Sequence, residues 1–212
     1  MSTFGDVSDR RSVPEPIAGA GSAGTRRSIM AVAERLFREI GYRKTTVADI
    51  AKALRMSPAN VYRFFDSKKA INEAVAERLL GEAQAAVECI AADTGLPAPA
   101  RLRAMLKTMN RMSVQLFTAD RRMHDMVDAA MVESWDVVHC HIVRMDDILH
   151  GLVAEGVAAG QFRAADPLVA ARCIQSAMLR FCHPALIVQC ADEPGPTIDD
   201  MCDFILASLR VG

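Results

Sequence analysis

Residues 57–63 read Ser-Pro-Ala-Asn-Val-Tyr-Arg. Two of these side chains can read nucleic-acid bases: Asn pairs bidentately with adenine, and Arg with guanine. Their setting suits that use. Ser57 is a strong helix N-cap and Pro58 suits the first helical position. Val61 and Phe65 stand four residues apart, so they can anchor such a helix from behind. Ser57, Ala59, Asn60 and Arg63 are then left facing outward at its start. Around them lie groups suited to phosphate oxygens: Arg26, Arg27, Thr45, Thr46, Tyr62 and Lys68. Contacts of that kind fix register without reading sequence. Core packing is the competing role for the aromatics. It is the expectation for Phe65, whereas the Tyr62 phenol is expected to reach a phosphate.

Short helices must position these residues. Upstream, Ile29, Val32, Ala33, Leu36, Phe37 and Ile40 recur at the spacing of one helical face over 26–40, and Gly41 ends that helix. Thr46 with Asp49 three residues on resembles a capping box. It opens a helix of about nine residues with Val47, Ile50, Ala51 and Leu54 on its buried side. The turn Leu-Arg-Met-Ser follows, and the next helix runs over 59–65. Asp66 or Ser67 caps a long helix over 68–91, whose N-terminus adds a dipole favourable to a phosphate. Two short helices joined by a tight turn form a helix-turn-helix candidate.

Charge is divided along the chain. The net charge of the 212 residues is −1. Yet residues 26–72 hold eleven Lys/Arg against four Asp/Glu, an excess of seven, and the remainder to residue 212 is acidic by the same amount. A basic first part and an acidic second part predict a polyanion partner for the first alone.

The stretch Gly-Tyr-Arg-Lys-Thr-Thr-Val-Ala-Asp-Ile-Ala-Lys-Ala-Leu-Arg-Met-Ser-Pro-Ala-Asn-Val-Tyr-Arg-Phe-Phe-Asp-Ser-Lys-Lys-Ala-Ile-Asn-Glu-Ala-Val, residues 41–75, strongly resembles the tetracycline-repressor (TetR) family of bacterial regulators. The shared pattern is Gly-aromatic, paired Thr, a hydrophobic-x-Asp-Ile-Ala core, then Ser, Tyr, Phe and Ser-Lys in fixed order. The resemblance implies phosphate contacts at Thr46, Tyr62 and Lys68 and base contacts around Asn60. Arg55 stands where the family commonly has Gly, at a turn that calls for positive φ, and Phe64 where His or Tyr is frequent. The resemblance also implies an all-α chain: an N-terminal three-helix helix-turn-helix domain joined to a helical ligand-binding and dimerisation domain. Double-stranded DNA is then the partner, a small molecule the effector, and repression the expected sign. The expected organisation is a disordered Gly/Ser/Ala/Pro-rich tail over 1–25, a DNA-binding domain over 26–72 and a helical domain over 73–212.

In the second part, helices are predicted over about 98–118, 121–131 and 133–158, then in 166–191, where Pro184 kinks or interrupts the helix, and in 197–210. The last two segments carry continuous apolar faces, so two copies would make a four-helix homodimer interface. Leu102, Met105, Met109, Met112 and Leu116 share one face of the first, while Val138, Ile142, Met145, Leu149 and Leu152 share one face of the third. Met109, Met112, Met131 and Trp135 are the candidate lining of a soft, apolar pocket, with His139 to orient a polar group. A plain methionine core is the alternative. No catalytic constellation, metal-ligand spacing or cofactor loop is found. The six cysteines form no CxxC pair, which fits a cytoplasmic setting, and no membrane span is expected. Two other functions stay open at this point: an enzyme or metabolite-binding protein using the Met-rich interior, and a helical adaptor that binds protein through its basic face.

Overall fold

The computed structural model describes residues 18–118, 126, 127, 129, 132 and 135–211. Ten helices lie among them: α1 (Ala18–Ile40), α2 (Val47–Ala53), α3 (Pro58–Tyr62), α4 (Lys68–Ala91), α5 (Ala98–Thr118), α6 (Trp135–Ala158), α7 (Pro167–Ala177), α8 (Leu179–Cys182), α9 (Pro184–Gln189) and α10 (Ile198–Ser208). No strand occurs among the described residues. Helix α1 begins upstream of Thr25, earlier than the sequence reading placed the onset of order. The rest of the expected tail, and most of the expected helix over 121–131, lie outside the described residues.

Capping explains the boundaries of the first domain's helices. The Thr46 side chain accepts from the Asp49 amide, and the Asp49 carboxylate accepts in turn from the Thr46 amide at 2.9 Å. Hydrogen bonds from the Thr46 hydroxyl and amide hold the Asp49 carboxyl below its ordinary value. Its stabilising contribution is therefore present above the unfolded pKa and is lost as pH falls through the depressed one. Gly41 ends α1 with φ of 92°, and its amide donates to Phe37 at 3.0 Å. Helix α2 ends in a Schellman arrangement: the Met56 amide donates to Ala51 at 2.9 Å and the Arg55 amide to Lys52 at 3.1 Å. Arg55 takes the left-handed position there, with φ of 55°. A left-handed L-residue costs about 1–2 kcal/mol, of which glycine's extra chain entropy cancels part. Arg55→Gly should therefore gain about 0.5–1 kcal/mol and raise the melting temperature by a few degrees. A lower melting temperature would show that the Arg55 side chain contributes more than its backbone costs.

Two apolar clusters organise the chain. The first gathers Ile29, Ala33 and Phe37 from α1, Ile50 and Ala51 from α2, Val61 from α3, and Ile71 and Val75 from α4. Phe37 meets Tyr42 edge-to-face at 5.2 Å. Met126 and Ala129 also join this cluster. The expected face of α1 is only partly inside, since Ile40 is exposed. The second cluster gathers Leu102, Met105 and Leu106 from α5, Met145 and Leu149 from α6, Ile174 and Met178 around α7, and Ile205 from α10. Arg101 is buried beside it, donating to the Ala91 carbonyl at 2.7 Å and pairing with Glu155. Phe162 closes over Gly156, where a Cβ would lie 2.2 Å from the ring.

The segment 166–191 is interrupted at Pro184, as expected, and at one further place. The chain breaks at Met178, and again at His183, where an extended backbone precedes Pro184. On α10, Ile205 and Leu209 are buried, but Phe204 is 68% exposed.

Candidate nucleic-acid interface and effector cavity

Helix α3 is short and firmly held. The Ser57 side chain accepts from the Asn60 amide at 3.2 Å, and Pro58 occupies the first turn. Val61 and Phe65 are buried beneath it. Arg26 of α1 ties its far end, donating to the Phe64 carbonyl at 2.7 Å with the guanidinium carbon 4.0 Å above the Phe65 ring. Ser57, Ala59 and Arg63 are exposed, Asn60 is half-buried and Tyr62 is 50% exposed. Arg27 on α1 and Thr46 at the start of α2 are exposed on neighbouring elements.

Two expected phosphate contacts are instead internal. Thr45 is 1% exposed, and its hydroxyl donates to the Gly41 carbonyl at 2.8 Å. Lys68 turns inward over the α1–α2 loop. Its Nζ donates to the Tyr42 carbonyl at 2.9 Å and the Thr45 carbonyl at 3.1 Å, and lies 4.3 Å from the Tyr42 ring centre. Both residues shape the loop that orients α2.

A cavity of about 420 Å³ opens between α4, α5, α6 and the α7–α9 segment. Five methionines stand in its wall, Met109, Met112, Met126, Met145 and Met178, among leucines and other apolar side chains. Leu79, Leu116, Met126 and Val127 line it while also belonging to the cluster that supports α3. His141 lines it too, with Nδ1 3.0 Å from the Gln84 side-chain amide. Burial pushes the His141 pKa down, which favours the neutral ring. Cys182 is also in the wall, and burial raises its thiol to about 12. A thiol shifted in that direction is a poor nucleophile near neutral pH.

The family model "Tetracyclin repressor-like, C-terminal domain" matches residues 98–205, and "Bacterial regulatory proteins, tetR family" matches residues 29–75. The chain belongs to the TetR family. Among curated proteins it is similar to the HTH-type transcriptional repressor KstR2 of Rhodococcus jostii, with 34% identity over 89 residues. That match spans 42% of this chain and 43% of the relative's length. Among solved structures, a TetR/AcrR-family regulator from Thermobifida fusca aligns with a TM-score of 0.64 and 25% identity, covering 87% of this chain and 95% of that one. The triclosan complex of SmeT, a repressor from Stenotrophomonas maltophilia, shares the fold at a TM-score of 0.66 and 19% identity, covering 89% and 92% of the two chains.

As a TetR-family member the chain is a DNA-binding transcription regulator and not an enzyme. The enzyme and adaptor alternatives fall with that assignment. No helix among the described residues is long and apolar enough to cross a membrane.

The expected pocket residues divide. Met109 and Met112 line the cavity. His139 does not: it is exposed on the other side of α6. Met131 lies outside the described residues, as does the side chain of Trp135. Other polar residues line the wall, among them Ser113, Gln115, His141, Gln175 and His183, and none of these was an expected pocket residue. One of them was within reach. Val138, His141, Ile142 and Met145 follow the spacing i, i+3, i+4, i+7, which places His141 and not His139 on the inward face.

Proposed function

We propose that the protein is a ligand-released repressor that binds a pseudo-palindromic operator as a homodimer. One observation carries this reading. The wall of the cavity and the support of the reading helix α3 share residues, Leu79, Leu116, Met126 and Val127, so filling the cavity presses on the core behind α3. Ser57, Ala59, Asn60 and Arg63 are the base-reading face, with Arg27, Thr46 and Tyr62 placed for phosphates. Two such faces must stand about 34–36 Å apart to enter successive major grooves. A ligand that favours another spacing shifts the population away from the DNA-competent form.

Residues 166–191 and 197–210 are the dimer surface in this reading. Val169, Leu179 and Phe204 are each more than half exposed there. A shallow groove of about 350 Å³ runs between α7 and α10, lined by Val169, Ala170, Cys173 and Phe204. Apolar surface of this kind calls for a partner, and a self-complementary face closes with two-fold symmetry. The ligand is small and largely apolar, as the methionine wall favours.

The test is selection of genomic fragments by the purified protein at about 150 mM salt, a level at which non-specific binding is weak. An enriched inverted repeat, retained by a particle of twice the chain mass, is the expected result. Well-folded protein that enriches no sequence would overturn the reading.

A further inference from the structure

Cations on the long helices beside α3 have carboxylate partners. Arg35 pairs with Glu39 and Arg38 with Glu34 on α1, and Lys69 pairs with Glu73 and Arg78 with Glu82 on α4. Between Gly41 and Ser67 the balance differs. That stretch holds five cations, Arg43, Lys44, Lys52, Arg55 and Arg63, against two carboxylates, Asp49 and Asp66. Asp49 is committed to the Thr46 cap. All five cations are exposed, and none makes an ion pair or a side-chain hydrogen bond among the described residues.

One of the five is held at a conformational cost. Arg55 fills the left-handed position after α2 at φ 55°, a place that glycine takes without strain. The hydrogen bonds that close this turn come from backbone amides, Arg55 to Lys52 and Met56 to Ala51, and a glycine would keep both. The exposed Arg55 side chain is therefore not needed to make the turn. A strained residue whose charged group is unengaged within the protein points outward, from an outlier to a function. Its place in the chain supplies one. Arg55 stands two residues before Ser57, which opens the face proposed above to read bases. Two residues span at most about 7 Å. The major groove is about 12 Å wide, so a long side chain that starts so close to a helix in the groove is in range of the phosphates on its rim. The guanidinium fork matches a phosphate bidentately.

We propose that Arg55 grips a backbone phosphate beside the groove that α3 enters, so that a residue which destabilises the free protein strengthens its complex with DNA. This rests on the reading of α3 as the base reader. The contact adds affinity on any duplex and carries no sequence information. A cation at the C-terminal end of α2 also meets the helix dipole. That role acts on stability alone and leaves the salt dependence of DNA binding unmoved.

The test is fluorescence anisotropy of the full chain on the selected operator and on a mixed-sequence duplex, between about 50 and 200 mM salt. Arg55→Gly should bind both duplexes about three- to tenfold more weakly, and its salt slope should be shallower by about one for each subunit bound. Arg55→Lys should keep the slope, since it keeps the charge. Melting curves run alongside show whether weaker binding is loss of fold. Should Arg55→Gly loosen the turn, Arg55→Asn repeats the test, because Asn also tolerates the left-handed position. An unchanged affinity and slope in the folded variants overturns the proposal and leaves α3 as the reader. A slope lost equally in Arg55→Lys also overturns it, because charge is then not what binds. A loss confined to the operator overturns the phosphate role and makes Arg55 a base contact. Failure of the unaltered chain to bind either duplex overturns the reading of α3 itself.

Discussion

Asn60→Ala combined with Arg63→Ala lowers affinity for the selected operator by about 100-fold or more, while binding to a scrambled duplex changes little. Each bidentate base contact discriminates by about 1–3 kcal/mol, so two together account for a loss of that size. The expectation comes from how α3 is mounted. Its buried anchor is Val61, at 0% exposure, and its first turn is held by the Ser57 cap. Neither changed side chain supports the fold in this way. The measurement is fluorescence anisotropy on both duplexes between about 50 and 200 mM salt. Arg27→Ala is the control. It should weaken both duplexes alike and reduce the salt slope by about one. Equal losses on both duplexes for the Asn60 and Arg63 pair would reassign them to phosphate and leave base reading to other residues.

The first domain's helices were more legible in the sequence than the cavity, and the reason is physical. Caps, turns and short amphipathic helices are local, so Thr46, Gly41, Ser57 and Ser67 mark their own boundaries. Arg55 was legible for the same reason: a Schellman turn requires its left-handed residue at a fixed place. A cavity wall is drawn from elements far apart in the chain. Ser113 and His183 line one cavity only because α5 packs against α8 and α9, and nothing in their local spacing announces it. His139 is the instructive miss. A histidine two residues from another is attractive by chemistry, but the helical period puts only His141 inside.

Lys68 shows the same limit in the opposite direction, because residue type and position there favoured a phosphate contact and the structure gives an internal clasp. Lys68→Met keeps the aliphatic stem and removes the ammonium. The carbonyls of Tyr42 and Thr45 lose their donor, and the Tyr42 ring loses its cation. Hydrogen bonds to a charged group are worth about 1.5–3 kcal/mol. Lys68 is only half-buried, so solvent screening sets the expected cost near the lower part of that range, about 2 kcal/mol. For a chain of this size that is a fall of about 4–8 °C in melting temperature. The clasp and the phosphate roles then separate cleanly. If Lys68 holds the loop, Lys68→Met melts early, and below its melting range its salt slope on operator DNA matches that of the unaltered protein. If Lys68 reaches a phosphate, the melting temperature stays put and the slope falls by about one, as for Arg27→Ala. The inward geometry favours the first outcome, since the ammonium would have to abandon the carbonyls of Tyr42, Arg43 and Thr45 and the Tyr42 ring to reach DNA. Thr45→Val adds an independent check. It deletes the hydroxyl that donates to Gly41 in the same loop, so it should lower stability without touching the salt slope.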